Sequence, residues 1–290
     1  MSYITDYKSA PFDIYNGGNN GNPNFSGTAT SPTNGYTGTG LNGIPDYGLD
    51  QLCGSKWATE DGRILTLVSN AAVALVSGNL VSAPAEVTAF QKLAMTVPTA
   101  QPATVGTFAI LVTNGATVLN VNQFAGGYAV VASGTGIGQS LKIASHQPAA
   151  NAATFIVTLE DPIQVTLDAT SKISLIASPF KNVIIQPTTQ TAIPVGVTVY
   201  PVPASVAATF SGTTGAATTV LGTPQYAFVV SHGPVGCLID ATVTNVCYPL
   251  GGSAATAGAL GVATLTTKPQ IAVSMQTLTS ANTGMVYLQL

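Results

Sequence analysis

Tyr128-Ala-Val-Val-Ala-Ser-Gly-Thr-Gly-Ile-Gly-Gln-Ser-Leu-Lys-Ile-Ala144 sets two short apolar runs on either side of a glycine-studded turn, and that arrangement decides the fold. A run of this length, rich in β-branched residues and bounded by Gly and Ser, reads as a strand. Ser133-Gly-Thr-Gly136 supplies the small residues that a hairpin turn requires. The unit is therefore strand, turn, strand, with no helix between.

Working outward, the same grammar repeats. Residues 63–68, 72–76, 107–112, 117–121, 154–159 and 172–176 read as strands. They are separated by turn clusters such as Ser77-Gly-Asn79, Thr113-Asn-Gly115, Ala125-Gly-Gly127 and Glu160-Asp-Pro162. The pattern resumes over 182–185, 195–200, 225–231, 237–239, 257–265, 271–275 and 285–290. Only residues 84–93 could hold a short helix. Hairpin-linked strands without a strand-helix-strand rhythm predict an all-β chain of antiparallel β-sandwich or barrel modules. The reading divides the chain into an extended Gly/Asn-rich N-terminal arm (1–56), a β-rich module (57–181) and a C-terminal β-barrel or sandwich module (182–290), with a joint near Ser178-Pro-Phe-Lys181. In the alternative, residues 57–97 pair with the C-terminal module and about 98–181 form an insertion.

The arm differs from the rest in composition. Asn16-Gly-Gly-Asn-Asn-Gly-Asn-Pro-Asn-Phe-Ser-Gly27 has too few apolar residues to build a core of its own. Large side chains are nevertheless spaced along it: Tyr3, Tyr7, Phe12, Tyr15, Phe25, Tyr36 and Tyr47, with Ile14 and Ile44. Isolated rings on an extended segment can anchor it in pockets of a neighbouring subunit, so these seven aromatics are the candidate partner-binding residues.

Charge narrows the function. Only 7% of the 290 residues are charged, and beyond Lys181 there are just Asp240 and Lys268. A protein working alone in water usually carries about a quarter charged residues. Much of this surface is therefore expected to be covered by other subunits. The eight basic residues are scattered and the net charge is −3, which opposes nucleic-acid binding. Mean hydropathy is +0.39, but the apolar runs fall far short of the roughly 20 residues of a spanning helix, so no membrane segment is expected. The first residues carry no apolar stretch behind a basic start and do not read as a secretory signal.

Catalytic motifs are weak. Gly134-Thr-Gly136-Ile-Gly138 has the composition of a phosphate loop, but a strand follows where that chemistry needs a helix N-terminus. Ser231, His232 and Asp240 supply the residue types of a hydrolase triad, yet neighbours in a strand point to opposite faces. His232 before Gly233-Pro234, and His146 before Gln147-Pro148, read as turn histidines. Glu160, Asp161 and Asp168 lack the alternating oxygen ligands of a calcium loop. Cys237 and Cys247 could bridge a turn and leave Cys53 over; three reduced thiols are the other reading. Neither histidine lies at zinc-ligand spacing from a cysteine. No catalytic, metal or cofactor residue is assigned, and the chain is not expected to be an enzyme.

Gly126 to His146, continuing through Val157-Thr-Leu-Glu-Asp-Pro162 and Ser171-Lys-Ile-Ser-Leu-Ile176, resembles structural proteins of tailed bacteriophages. Asp61-Gly-Arg63, Tyr226-Ala-Phe-Val-Val-Ser-His-Gly-Pro234 and Tyr287-Leu-Gln-Leu290 are similar to the same group, so the resemblance covers about residues 57–290. In particular the chain resembles capsid decoration (cement) proteins. That resemblance implies a β-rich virion protein, often a homotrimer, on the outer surface of the capsid. It also implies the major capsid protein as partner and assembly in the bacterial host cytoplasm. A tail or fibre component binding a host receptor or carbohydrate, and the major capsid protein itself, stay open as alternatives.

Overall fold

The computed structural model describes residues 52–90, 95–99, 103–189, 191–205, 209–211, 218–220, 225–263 and 269–290. The arm up to residue 51, with Tyr3, Tyr7, Phe12, Tyr15, Phe25, Tyr36 and Tyr47, lies outside the described residues. Three strands open the chain: β1 (Lys56–Ala58), β2 (Ile64–Asn70) and β3 (Leu80–Ser82). Six follow: β4 (Met95–Thr96), β5 (Ala109–Thr113), β6 (Tyr128–Ser133), β7 (Ser140–His146), β8 (Thr154–Leu159) and β9 (Lys172–Ile176). The remainder are β10 (Ile184–Ile185), β11 (Pro194–Thr198), β12 (Thr209–Ser211), β13 (Thr218–Val220), β14 (Gln225–Ile239), β15 (Pro249–Gly252), β16 (Leu260–Val262), β17 (Ala272–Ser274) and β18 (Asn282–Gln289). The chain is all-β, built of barrel-like and sandwich-like sheets.

Residues Ala85–Ser178 and the β12–β13 hairpin form one unit, in which six strands make a closed antiparallel barrel in the order β4-β5-β8-β7-β6-β9. Strict alternation makes it. In β8, Phe155, Val157 and Leu159 are buried while Thr154, Ile156 and Thr158 face out. Closure leaves no barrel strand with an open edge. The core fills with aliphatic residues around Phe90, Phe124 and Phe155, and the Phe90 and Phe124 rings meet edge to face at 5.2 Å. Phe90 ends a single 3-10 turn, Thr88–Phe90, within the stretch 84–93 that could hold a short helix or a strand; residues 91–94 lie outside the described residues.

The second unit joins the described residues before Ala85 to those from Pro179 to Ser205 and from Gln225 to Leu290. Its organising element is β14. The C-terminal half of that strand pairs with β18 from His232 to Ile239 and touches β16 at Ile239, closing a circuit through β17 and β15. Its N-terminal half lies between β2 and β11. A second circuit returns through β3, β10 and a bridge between Asn70 and Val183.

One strand serves two cores because its alternation changes phase. Ala227 and Val229 pack with Val68, Val81 and Val195, whereas Val230, Val235, Cys237 and Ile239 pack with Leu250, Leu260, Val286 and Leu288. Val229 and Val235 would share a face in an unbroken strand. A bulge between Val230 and His232, opposite Leu65 and Ile64, inserts the extra residue that sends them to different cores.

β2 pairs with β14 and β3 with β11, so the chain enters the C-terminal sheet first and the barrel is inserted between Pro84 and Pro179. Two expectations about strands are corrected. Residues 72–76 and 117–121 are not strands and contribute only single bridges, Leu75 to Val202 and Leu119 to Ala149. The two strands read at 225–231 and 237–239 are one, because Gly233 (φ 99) and Pro234 are accommodated inside β14 rather than in a turn. Cys237, buried, and Cys247, exposed, form no disulfide, in keeping with the reading of reduced thiols.

Candidate functional site

The residue types that suggested chemistry are held apart. The Ser231 hydroxyl meets Thr66 Oγ1 at 2.8 Å and donates to Ile64 O at 3.2 Å. His232, next in the chain, turns to Tyr287, whose hydroxyl lies 3.3 Å from His232 Nε2. Asp240 accepts from the Ser253 hydroxyl. Three separate hydrogen-bonding sets absorb the three candidate triad members. Gly134-Thr-Gly136-Ile-Gly138 is the β6–β7 hairpin: Thr135 Oγ1 donates to Asp168 Oδ2 at 2.7 Å, and a Cβ on Gly134 would stand 2.1 Å from Thr170 O. Neighbouring backbone thus stands directly against the loop at Gly134. Hydrogen bonds from Thr170 and Thr135 hold the Asp168 carboxyl below the usual carboxylate range.

His146 is not a turn residue but the last of β7, and it is buried. Its Nε2 accepts from the Phe124 N–H at 2.9 Å, and its Nδ1 lies 2.9 Å from Gln147 O. The pair of contacts defines a neutral ring with the proton on Nδ1. Burial pushes its pKa down. Burial likewise pushes the Cys237 thiol up to about 12, which leaves it an inert core residue. Among the described residues no three His, Cys, Asp or Glu side chains gather as metal ligands, and no helix is long and apolar enough to cross a membrane.

Two surfaces are organised in another way. On the second unit, β17, β18 and the C-terminal half of β14 lie side by side in register, with Val273 opposite Tyr287 and Tyr287 opposite Pro234. One step along, the Met275 N–H donates to Met285 O at 3.1 Å, and Met285 faces Gly236. Ala272, Ser274, Val286, Leu288, Val235 and Cys237 point inward. The outer face thus carries Val273, Met275, Met285, Tyr287, Pro234 and Leu238, with the His232 ring against Tyr287 and the Thr283 methyl beside Gly236. None of the three strands contains Lys, Arg, Asp or Glu. Met275 is 44% and Met285 40% exposed. Cys247, exposed and at φ 60, borders this face through its N–H to Ser274 O.

On the barrel, Ile137 (67% exposed), Val105 and Val165 protrude from three loops at one end. Gln139 locks two of these loops: its Oε1 accepts from Gln164 and Val165 N–H groups at 2.9 and 3.0 Å, and its Nε2 donates to Val165 O at 3.0 Å. The third is tied on by the Gly106 N–H to Ile163 O. Apolar side chains on a backbone fixed this way lose little further freedom on binding.

Sequence reasoning placed Met275 and Met285 in strands but did not bring them together. Strand neighbourhood is set by long-range pairing that local pattern does not encode. The candidate arm anchors lie outside the described residues, so their surroundings are not part of this geometry. Comparison with protein-family models, with curated proteins and with solved structures finds no match.

Proposed function

We propose that the chain is a virion structural protein of the capsid decoration (cement) kind, which binds the outer face of a phage head and stabilises contacts between capsomers, with its N-terminal arm as a staple. The observation that carries this reading is the uncharged outer face of β14, β17 and β18, with Met275 and Met285 exposed at its centre. Such a face is suited to being covered by protein. A protein that binds only the assembled shell adds its binding free energy to that state alone. Several contacts per oligomer, a homotrimer in this reading, raise the effective concentration of each remaining one. Apolar and neutral contacts also weaken less with salt than ion pairs do.

The test is to add purified protein to undecorated phage heads and measure occupancy and the temperature at which heads release DNA. Bound protein with a raised release temperature, both lost on deleting residues 2–50, is the expected result. No affinity for heads removes the reading; full occupancy and unchanged heat resistance after the deletion remove the staple.

A further inference from the structure

We propose that the neutral middle of the N-terminal arm, residues 14–45, seats an aromatic ring on the outer face of β14, β17 and β18. This rests on the proposed function only in treating the arm as an anchoring segment, and it names the surface that segment grips. Its three strands carry no Lys, Arg, Asp or Glu, and it holds two partly exposed thioethers beside Tyr287. Thioethers and aromatic rings attract one another. The complementary segment must therefore be neutral and aromatic.

The arm contains one. Between Asp13 and Asp46 there is no charged side chain, while Tyr15, Phe25 and Tyr36 stand at wide spacing among Gly, Asn, Ser and Thr. Elsewhere in the arm the charges are Asp6, Lys8, Asp13, Asp46, Asp50 and Lys56, so this middle portion is the part that can be laid on a sheet free of Lys, Arg, Asp and Glu without burying an ion. Chain length permits it. The arm joins the fold just before β1, and 51 residues lie outside the described structure ahead of Leu52. Extended at about 3.3 Å per residue, they reach up to about 170 Å, far enough for the same molecule's face or that of a neighbour on the next capsomer. Three strands spaced about 4.8 Å apart offer a patch wide enough for one ring at a time, which matches rings set ten or eleven residues apart.

The test uses the full chain in solution, without phage heads, so that its outcome is independent of the cement reading. Met275 and Met285 are oxidised with dilute hydrogen peroxide and followed residue by residue by mass spectrometry, in the wild type and in the Tyr15→Ala, Phe25→Ala, Tyr36→Ala triple variant. The substitutions fall outside the described fold, and buried Met95 reports on its integrity. The expected result is oxidation of Met275 and Met285 at least about threefold slower in the wild type than in the variant, with Met95 inert in both. A Tyr15→Phe, Tyr36→Phe variant, which keeps the rings, should retain the protection. Protection that fades on dilution assigns the face to a neighbour's arm, and protection that does not fade assigns it to the molecule's own; both support the proposal. Equal rates in wild type and triple variant overturn it.

Discussion

His146 shows how much a single side chain can be made to do without chemistry. Placed at the end of β7, between the rings of Phe124 and Phe155, it ties the loop at Phe124 to that strand by accepting one backbone N–H, and it donates toward one carbonyl. Protonation would replace the Phe124 acceptor with a second donor inside an apolar core. The folded state therefore holds its ring neutral below the ordinary histidine range near 6.5. With the folded pKa depressed, the unfolded chain binds more protons. Barrel stability is then complete above about pH 6.5 and is lost as pH falls below it, by at most about 1.4 kcal/mol per unit until the folded pKa is reached. Asp61 and Asp168 are also depressed, by hydroxyl hydrogen bonds first, but they act in a lower window, beneath the usual carboxylate value of 3.8. Urea unfolding at pH 7 and pH 5 separates the two. The wild type should be less stable at pH 5 than at pH 7, while His146→Gln, less stable at pH 7, should change little. Identical pH dependence in both proteins would remove His146 as the cause.

At the level of elements, the strands were legible and their partners were not. Residues 63–68, 107–112, 154–159 and 172–176 announce themselves by alternation, and β2, β5, β8 and β9 occupy those stretches to within a few residues. β14 was misread for a physical reason. Gly233-Pro234 ordinarily marks a turn, and no local signal says that a Pro is tolerated in a strand paired opposite Tyr287. The bulge was equally hidden, since Val229-Val-Ser231 gives no alternation to count. It nevertheless governs the unit. Deleting Ser231 would restore simple alternation, turning either Ala227 and Val229 or Val235, Cys237 and Ile239 away from their core. The expected result is loss of the unit's cooperative transition, read by near-ultraviolet dichroism of Trp57, which packs edge to face on Phe228 at 4.8 Å. The conservative Ser231→Ala keeps the residue count and removes only the hydroxyl contacts with Thr66 and Ile64, so it should cost about 1–3 kcal/mol and still melt cooperatively. A deletion variant that melted like Ser231→Ala would show that the bulge does not set the two faces.

For the molecule as a whole, the order of elements along the chain makes the barrel an insertion in the sheet-bearing unit. Every residue of the barrel core, from Phe90 to Leu175, lies within the inserted segment. Closure of the six strands also leaves them no missing partner. A polypeptide of residues 85–178 should therefore fold alone, with β-type dichroism and a cooperative melt. The C-terminal segment is in the opposite position. Without β2, β14 loses a seven-residue partner run from Gln225 to His232; without β3, β11 is paired on one side only; and Leu65, Val68, Leu80 and Val81 vanish from the two cores. Each lost aliphatic side chain removes about 1.5–3 kcal/mol of burial, and four of them approach the whole stability of an ordinary domain. Residues 179–290 expressed alone should be unfolded or aggregated, while a chain that joins residues 52–84 to 179–290 through a short Gly/Ser linker should recover the fold. The paired measurement is decisive because the two fragments share no residue. Cooperative folding of 179–290 by itself, or failure of 85–178, would mean that local strand pattern rather than strand pairing sets the boundaries of this protein.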